Sequence, residues 1–336
     1  MATIVDVAKL AKVSVSTASY ALNGSNKVSE KTREKVLQAA AKLNYRANSF
    51  AQNLKKNKTD LIALMVNDIV GPFYSELVKG IQDVASILGY NVMIFCESTI
   101  GKGSGYSFLK ERLVEGAVIL TSGITDEQVI ELRQDGFPLV LLDRVINEAD
   151  LSSILIDNEK GARLAVQHLI GLNHRKIGYI SGSEHSHDNL ERFNGYAETL
   201  KQNGITIDKR FVLQGDFTEK SGYLLLKNFL TDEQELPTAF FAANDEMAIG
   251  AIKAIKEKGL KVPEDISIVG FDDIPISEYI QPNLTTIRRP TYELGSIAAH
   301  VLFNLINGKT KSSTVTLDVE LIERASTKER DRVVTS

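Results

Sequence analysis

A single cysteine in 336 residues cannot form a disulfide within the chain, so the sequence does not describe a cross-linked secreted framework. Cys96 is expected to end a buried strand as a small apolar side chain. Histidine is also scarce, with five in all. There is no H-E-x-x-H, no cysteine pair and no G-x-S-x-G, so zinc-peptidase and serine-hydrolase chemistry lack their starting motifs. His185-Ser-His187-Asp188 carries metal-ligand atom types within four residues. Gly101, Gly103 and Gly105 follow a strand-like run, but G-K-G-S-G has neither dinucleotide-fingerprint spacing nor a Gly-Lys-Ser/Thr phosphate loop. No run of 18 apolar residues exists, and Met1-Ala-Thr-Ile leads straight into a helical pattern. These absences describe a cytoplasmic chain with no membrane partner.

Charge is unevenly divided. Residues 1–59 hold eleven Lys or Arg against three Asp or Glu, a local charge of +8 in a chain whose total is −4. The remaining residues therefore carry −12. A basic head on an acidic body is the electrostatic signature of a phosphate-binding module joined to something that is not one.

Within the head, T-I-V-D-V-A-K-L-A-K-V-S-V-S-T-A-S-Y-A-L-N-G (residues 3–24) reads as two short helices joined by a tight turn. Ile4, Val7, Ala8 and Ala11 share one helical face. Ser14 is placed to cap a second helix from about Val15 to Leu22, and Asn23-Gly24 tolerates the left-handed backbone that ends it. A second helix offering small and polar groups suits a major groove, while an amphipathic hairpin in a small core is the plainer alternative. A third helix from about Glu30 to Leu43, opened by Ser29, puts Val36, Leu37, Ala40 and Leu43 on its buried side. Asn48-Ser-Phe-Ala-Gln-Asn-Leu54-Lys55 is a helical pattern too short to be stable alone in water.

From residue 59 onward the pattern changes. Apolar runs of strand length occur at 61–66, 92–95, 117–120, 139–142, 154–156, 177–180, 239–242 and 266–269. Amphipathic helical patterns lie between most of them, at 73–88, 161–172, 193–202 and 247–258. This alternation argues for an α/β body of doubly wound parallel sheets, and its length suits two lobes better than one core.

The head motifs, with V-S-E-K-T-R-E-K-V…L-N-Y and A-Q-N-L, resemble the helix-turn-helix and hinge of the LacI/GalR family of bacterial repressors. The body blocks N-H-R-K-I-G-Y-I-S-G, A-A-N-D-E-M-A-I-G-A and P-E-D-I-S-I-V-G-F-D-D-I-P continue that resemblance through the chain. It implies a helix-turn-helix domain at 1–46, a hinge helix and linker at 47–59, and an effector-binding and dimerisation body at 60–336. The body would resemble periplasmic sugar-binding proteins. Its N-lobe would span about 60–157 and 288–313, its C-lobe about 158–287 and 314–326, with crossovers near Asp157, Ile287 and Ser313.

The same resemblance implies a homodimer on double-stranded operator DNA. Contacts would come from Thr3, Ser14, Val15, Ser16, Thr17, Tyr20 and Asn23 of the head and Asn48, Leu54 and Lys55 of the hinge, Leu54 wedging into the minor groove. Three positions depart from the family pattern: Lys12 and Ala47 stand for the usual Gly and Pro, and Tyr20 for a frequent Arg or His. A left-handed Lys12 costs about 1 kcal/mol relative to glycine, and Tyr20 cannot make the bidentate contact to guanine that Arg makes.

Ligands of open α/β sheets bind beyond the carboxyl ends of the strands. Phe73, Ser122, Asp143, Phe217, Asn244 and Asp272 fall at such ends. With Arg192 they form the expected site for a small carbohydrate or sugar phosphate, Phe73 and Phe217 facing each other as stacking rings. The resemblance places His185–Asp188 in a loop at this cleft, so no metal or cofactor is expected. Two alternatives remain: control by a phosphorylated carrier protein, and a sugar receptor with no DNA role. An enzyme would lack a catalytic constellation.

Overall fold

The structure, a computed structural model, describes residues 2–45, 58–97, 104–146, 150–184, 186–232, 235–309 and 312–330. The chain divides into two compact units, Met1–Thr59 and Asp60–Ser336. Asn48, Leu54, Lys55 and Ala47 lie outside the described residues.

In the first unit Thr3 opens α1 (Ile4–Ala11) with a capping box. Its hydroxyl accepts from the Asp6 N–H, and the Asp6 carboxylate accepts from the Thr3 N–H. Lys12 ends the helix at φ 55, ψ 48, so the strain of a side chain in the left-handed region is present. Ser14 caps α2 (Val15–Leu22) and Ser29 caps α3 (Glu30–Lys42), each hydroxyl accepting from the N–H three residues on. The helices meet on Val7, Ala8, Ala18, Ala21, Val36, Ala39 and Ala40, small enough for close approach. Leu37 is 48% exposed, against expectation. It sits about 100° round the helix from Val36, and alanines 39 and 40 fill the interface instead.

The N-lobe of the second unit is a six-stranded parallel sheet in the order β11-β5-β4-β3-β1-β2. Its strands are β1 (Leu61–Val66), β2 (Asn91–Cys96), β3 (Ala117–Leu120), β4 (Leu139–Leu142), β5 (Ser152–Ile156) and β11 (Thr314–Leu317). Strand β1 is buried on both faces, as a central parallel strand must be. Ile62, Leu64 and Val66 join the core under α4 (Pro72–Ile87) and α11 (Thr291–Ile306). Ala63 and Met65 pack with Leu109 and Val129, from α5 (Ser104–Lys110) and the neighbouring α6 (Asp126–Gln134). Strand β2 forms the open edge of this sheet, and Cys96 at its end is exposed rather than buried.

The C-lobe sheet runs β7-β6-β8-β9, again parallel, from β6 (Ile177–Ser181), β7 (Val212–Gln214), β8 (Ala239–Ala242) and β9 (Ser267–Val269). Tyr179 and Phe241 pack with Tyr196 of α8 (His187–Gln202), which lies beside α7 (Asn158–Gly171). Phe240 instead meets Phe229 of α9 (Glu219–Asp232), which packs on α10 (Asp245–Glu257). An antiparallel ribbon of β10 (Thr286–Arg288) and β12 (Glu320–Ile322) lies beside the last crossovers.

The third crossover is not near Ser313. Thr314–Leu317 pairs with β5 in register Thr314↔Ser153 to Leu317↔Ile156, so this segment completes the N-lobe sheet and the chain changes lobe after it. The expected C-lobe segment 314–326 therefore starts about five residues too early.

The final described residues are stitched to the C-lobe. Ser326 Oγ donates to the Ile268 carbonyl at 2.6 Å and accepts from the Thr285 N–H at 2.8 Å. Buried His174 meets Thr238 Oγ1 through Nδ1 at 2.8 Å and the Lys328 carbonyl through Nε2 at 3.0 Å. A neutral ring satisfies both, Nε2–H donating and Nδ1 accepting. Burial first of all pushes its pKa down from 6.5 to about 4. The stabilisation is thus complete above the ordinary value and is lost as pH falls from 6.5 towards 4. The urea midpoint should drop between about pH 7 and about pH 5, and His174→Gln should flatten that dependence. Equal slopes in the two proteins would rule out His174 as the titrating group.

Candidate functional site

The carboxyl ends of the strands of both lobes open on a cavity of about 750 Å³. From the N-lobe, β1 leads to Asn67 and Asp68, β3 to Thr121 and Ser122, and β4 to Asp143, while Phe73 and Tyr74 sit in the first turn of α4. From the C-lobe, β7 leads to Asp216 and Phe217, β8 to Asn244 and β9 to Asp272, with Asp188 and Arg192 projecting from α8. Arg289 follows β10, where the chain passes between the lobes. Phe73, Ser122, Asp143, Arg192, Phe217, Asn244 and Asp272, scattered over 200 residues of sequence, all line this one cavity.

Its floor is a buried cluster of charge. The Arg192 side chain is 1% exposed; its Nε donates to Asn158 Oδ1 at 2.9 Å and its Nη1 to the Ala243 carbonyl at 2.5 Å. Its Nη2 stands 3.4 Å from Asp188 Oδ2 and 3.9 Å from Asp272 Oδ1. Arg289, also buried, donates Nη2 to Asp143 Oδ2 at 2.8 Å and has Nη1 3.6 Å from Asp272 Oδ1. Arg192 Nη2, Arg289 Nε and Asp272 Oδ1 are buried with no hydrogen-bond partner. Two donors and one acceptor left so in a low-dielectric floor are costly unless something else satisfies them. Burial pushes the Asp272 and Asp143 carboxyls up, opposed by Arg192 and Arg289 for Asp272 and mainly by Arg289 for Asp143.

The backbone is strained at the same place. Asp143, Phe217 and Asp272 hold φ of 49°, 71° and 117°. Residues with a Cβ seldom adopt such values, which persist only where the surroundings over-determine them. For Asp272 the surroundings are explicit. Its N–H donates to the Ile287 carbonyl on the crossover at 2.8 Å. Two residues on, the Ile274 N–H and the Ser277 hydroxyl donate to the buried Asp245 carboxylate at 2.9 and 2.8 Å.

The aromatic rings at the cavity are already engaged by the protein. One face of Phe73 carries the Arg289 guanidinium at 4.5 Å from the ring centroid, and Phe271 carries Arg192 at 3.9 Å. The Phe217 ring lies on Gly182, where an added Cβ would come within 2.1 Å of it. Each ring is thus already occupied on one face by protein. Asn244 caps α10 with its oxygen and donates its amide to the Phe217 carbonyl at 2.8 Å, leaving one N–H towards the cavity.

Arg289 was not recognised from the sequence, and Asp188 was placed at the cleft only as part of a loop, whereas it lies in the first turn of α8. Asp188 stands four residues before Arg192 on α8, a spacing that puts both on one helical face. Arg289 stands in I-R-R-P beside a second arginine, Arg288, and nothing local says which of the two is buried or which lobe it faces.

In the first unit Thr3, Ser14, Val15, Ser16, Tyr20 and Asn23 are exposed and Thr17 is partly so. Lys27 Nζ lies 5.3 Å from the centroid of the Tyr20 ring. Of the two histidines at the cleft, His185 is outside the described residues and His187 pairs with Glu191 at 3.5 Å. Among the described residues no group of His, Cys, Asp and Glu is arranged to hold a metal.

Residues 3–48 match the sequence model of bacterial regulatory proteins of the lacI family, and residues 166–327 that of the periplasmic binding protein-like domain. Over 331 residues the chain is 35% identical to catabolite control protein A of Priestia megaterium, covering 97% of this chain and 99% of that one. Over 330 residues it is 36% identical to the HTH-type transcriptional repressor CytR of Escherichia coli (strain K12), covering 97% and 96%. The lac repressor dimer bound to operator and the anti-inducer ONPF superposes with a TM-score of 0.76 at 33% identity, covering 97% of this chain and 99% of that one. The complex of the transcriptional regulator CelR with cellobiose gives 0.73 at 31% identity, covering 97% and 100%.

Proposed function

The chain belongs to the lacI family of bacterial regulatory proteins, as a DNA-binding transcriptional repressor, and from that premise we propose how it is controlled. The effector is a small, uncharged, polyhydroxylated molecule of carbohydrate type, held in the interlobe cavity of a homodimer that grips a two-fold operator. The observation that carries this reading is the trio of buried polar atoms on Arg192, Arg289 and Asp272 that make no hydrogen bond, two of them held only by longer ion pairs. Adjacent hydroxyl groups, each both donor and acceptor, complement two donors and an acceptor in one small space. Charge selects within the class. The lining holds six carboxylates, on Asp68, Asp143, Asp188, Asp216, Glu246 and Asp272, against three guanidinium groups, on Arg144, Arg192 and Arg289. A phosphate entering that field is repelled, so a sugar fits better than a sugar phosphate.

Binding across the cleft favours one arrangement of the lobes, and operator affinity shifts by the difference in effector affinity between the two arrangements. The test begins with an operator selected from random DNA. Its affinity for the full-length protein is then measured with D-ribose, D-glucose, D-galactose, cellobiose and glucose 6-phosphate. At least one neutral sugar should change that affinity about tenfold, within the usual range of allosteric coupling, and the phosphate should not. A response to glucose 6-phosphate alone contradicts the reading, as does a response only to a phosphorylated carrier protein.

On the DNA side, exposed Tyr20 of α2 is assigned to a half-site contact in which its ring reads a thymine methyl, its hydroxyl being free to meet a phosphate for position alone. Tyr20→Arg should change the base preferred at one half-site position and raise affinity for guanine-bearing variants there by about 1–3 kcal/mol. If selection from random DNA returns the wild-type motif with this variant, Tyr20 reads nothing.

A further inference from the structure

We infer that Arg289 is a binding and positioning residue of the cavity: it ties Asp143 of one lobe to Asp272 of the other and presents its unpartnered Nε to an oxygen of the effector. The inference rests on the cavity being the effector site and goes further, because it names the residue that links effector contact to the joining of the lobes.

Four observations converge on this side chain. It lies immediately after β10, on the segment that carries the chain from one lobe to the other. It is 3% exposed, yet carries a full charge on five N–H donors. Its fork reaches Asp143 Oδ2 at 2.8 Å and Asp272 Oδ1 at 3.6 Å, while its plane lies over Phe73 at 4.5 Å from the ring centroid. Phe73 and Asp143 belong to the N-lobe and Asp272 to the C-lobe. One planar group therefore touches both walls, and Nε remains buried without a partner.

Lysine could not do this, since a point charge on a flexible stem neither stacks flat on a ring nor forks between two carboxylates. The remaining charged groups of the cluster come from α8, while Asp245 and Glu246 of α10 also act on Asp272. Asp188 and Arg192 stand beside Asp272, so removal of Arg289 leaves three carboxylates facing a single guanidinium. Asp143 and Asp272 then take up protons more readily, and an oxygen that must accept a hydroxyl hydrogen is progressively lost as pH falls.

The test uses the full-length protein and two variants, Arg289→Gln and Arg289→Lys. Binding of D-ribose, D-glucose, D-galactose and cellobiose is measured by calorimetry at about pH 7.5 and about pH 6. For each sugar that binds the wild type, Arg289→Gln should weaken affinity about 30-fold or more, and more at the lower pH than at the higher. Arg289→Lys should fall between the two, restoring charge without the fork. Affinity within threefold of wild type at both pH values overturns the inference.

If none of the four sugars binds the wild type, the carbohydrate reading fails and the positioning role is decided without ligand. Amide exchange of the free protein should then be about tenfold faster in Arg289→Gln, both just after β4 and just after β9. Equal protection in the two proteins overturns the inference. Should Arg289→Gln not fold, Arg289→Lys is carried through the same measurements, with a smaller loss in the same direction expected and an unchanged protein counting against the inference.

Discussion

Asp272→Asn should give a repressor that holds its operator and ignores its effector. Asparagine keeps the shape of the side chain and tolerates positive φ better than most residues, so the strained turn at φ 117 need not move. What it removes is the charged acceptor beside Arg192 and Arg289. Truncating one partner of a buried, charged hydrogen-bonding set costs about 2–5 kcal/mol in binding. Effector affinity should therefore fall about 30-fold or more, and the change in operator affinity on adding effector should vanish over any practical concentration range. Without effector, operator affinity should stay within about threefold of wild type, because linkage removes only the ligand's bias. Titration of labelled operator with and without effector reads both quantities. An undiminished response would move control away from this cavity.

The second large effect is structural. Helices α4 and α11 cross where Gly80 and Gly295 bring their backbones together. A Cβ on Gly80 would stand 2.2 Å from the Tyr292 carbonyl oxygen, and one on Gly295 would stand 2.3 Å from that of Leu77. The obstacle in both cases is backbone, which cannot turn aside as a side chain can. Gly295→Leu must therefore part the helices and loosen Leu77, Ile81, Leu294 and Leu302, all fully buried. The loss should be on the order of 3 kcal/mol, the upper end for overpacking, with a lowered urea midpoint. Gly295→Ala should cost less, because about 1 kcal/mol of helix propensity offsets part of the clash. If Gly295→Leu unfolds at the wild-type midpoint, the close crossing is not there.

Much of this fold was legible because its central strands are buried on both faces and read as continuous apolar runs. Strands β1, β4, β6 and β8 declare themselves in L-I-A-L-M-V, L-V-L-L, I-G-Y-I-S and A-F-F-A. Strands β7, β10, β11 and β12 were not foreseen. They are three or four residues long, and the edge strand β11, T-V-T-L, is exposed at alternate positions. Its partner β5 lies some 160 residues back in sequence, so no local pattern reveals which lobe it joins, and the third crossover was misplaced accordingly. Six cavity residues were legible because strand ends are positions that sequence can mark, and Arg192, which lies on α8, came with the family resemblance. Arg289 was not legible, since its meaning depends on the two lobes that meet around it.

That long-range pairing has a consequence for the birth of the protein. Strand β5 leaves the ribosome early, yet its outer edge waits for Thr314–Leu317, made some 160 residues later. The C-lobe waits too: Ile268, Thr285 and His174 meet Ser326 and Lys328 only once those later residues have been made. Translation thus produces two lobes, each with a raw edge, and the one short stretch 314–328 closes both. A ribosome stalled before Thr314–Leu317 have emerged would hold a chain with β5 unpaired on its outer edge, the kind of edge that invites pairing with a neighbour.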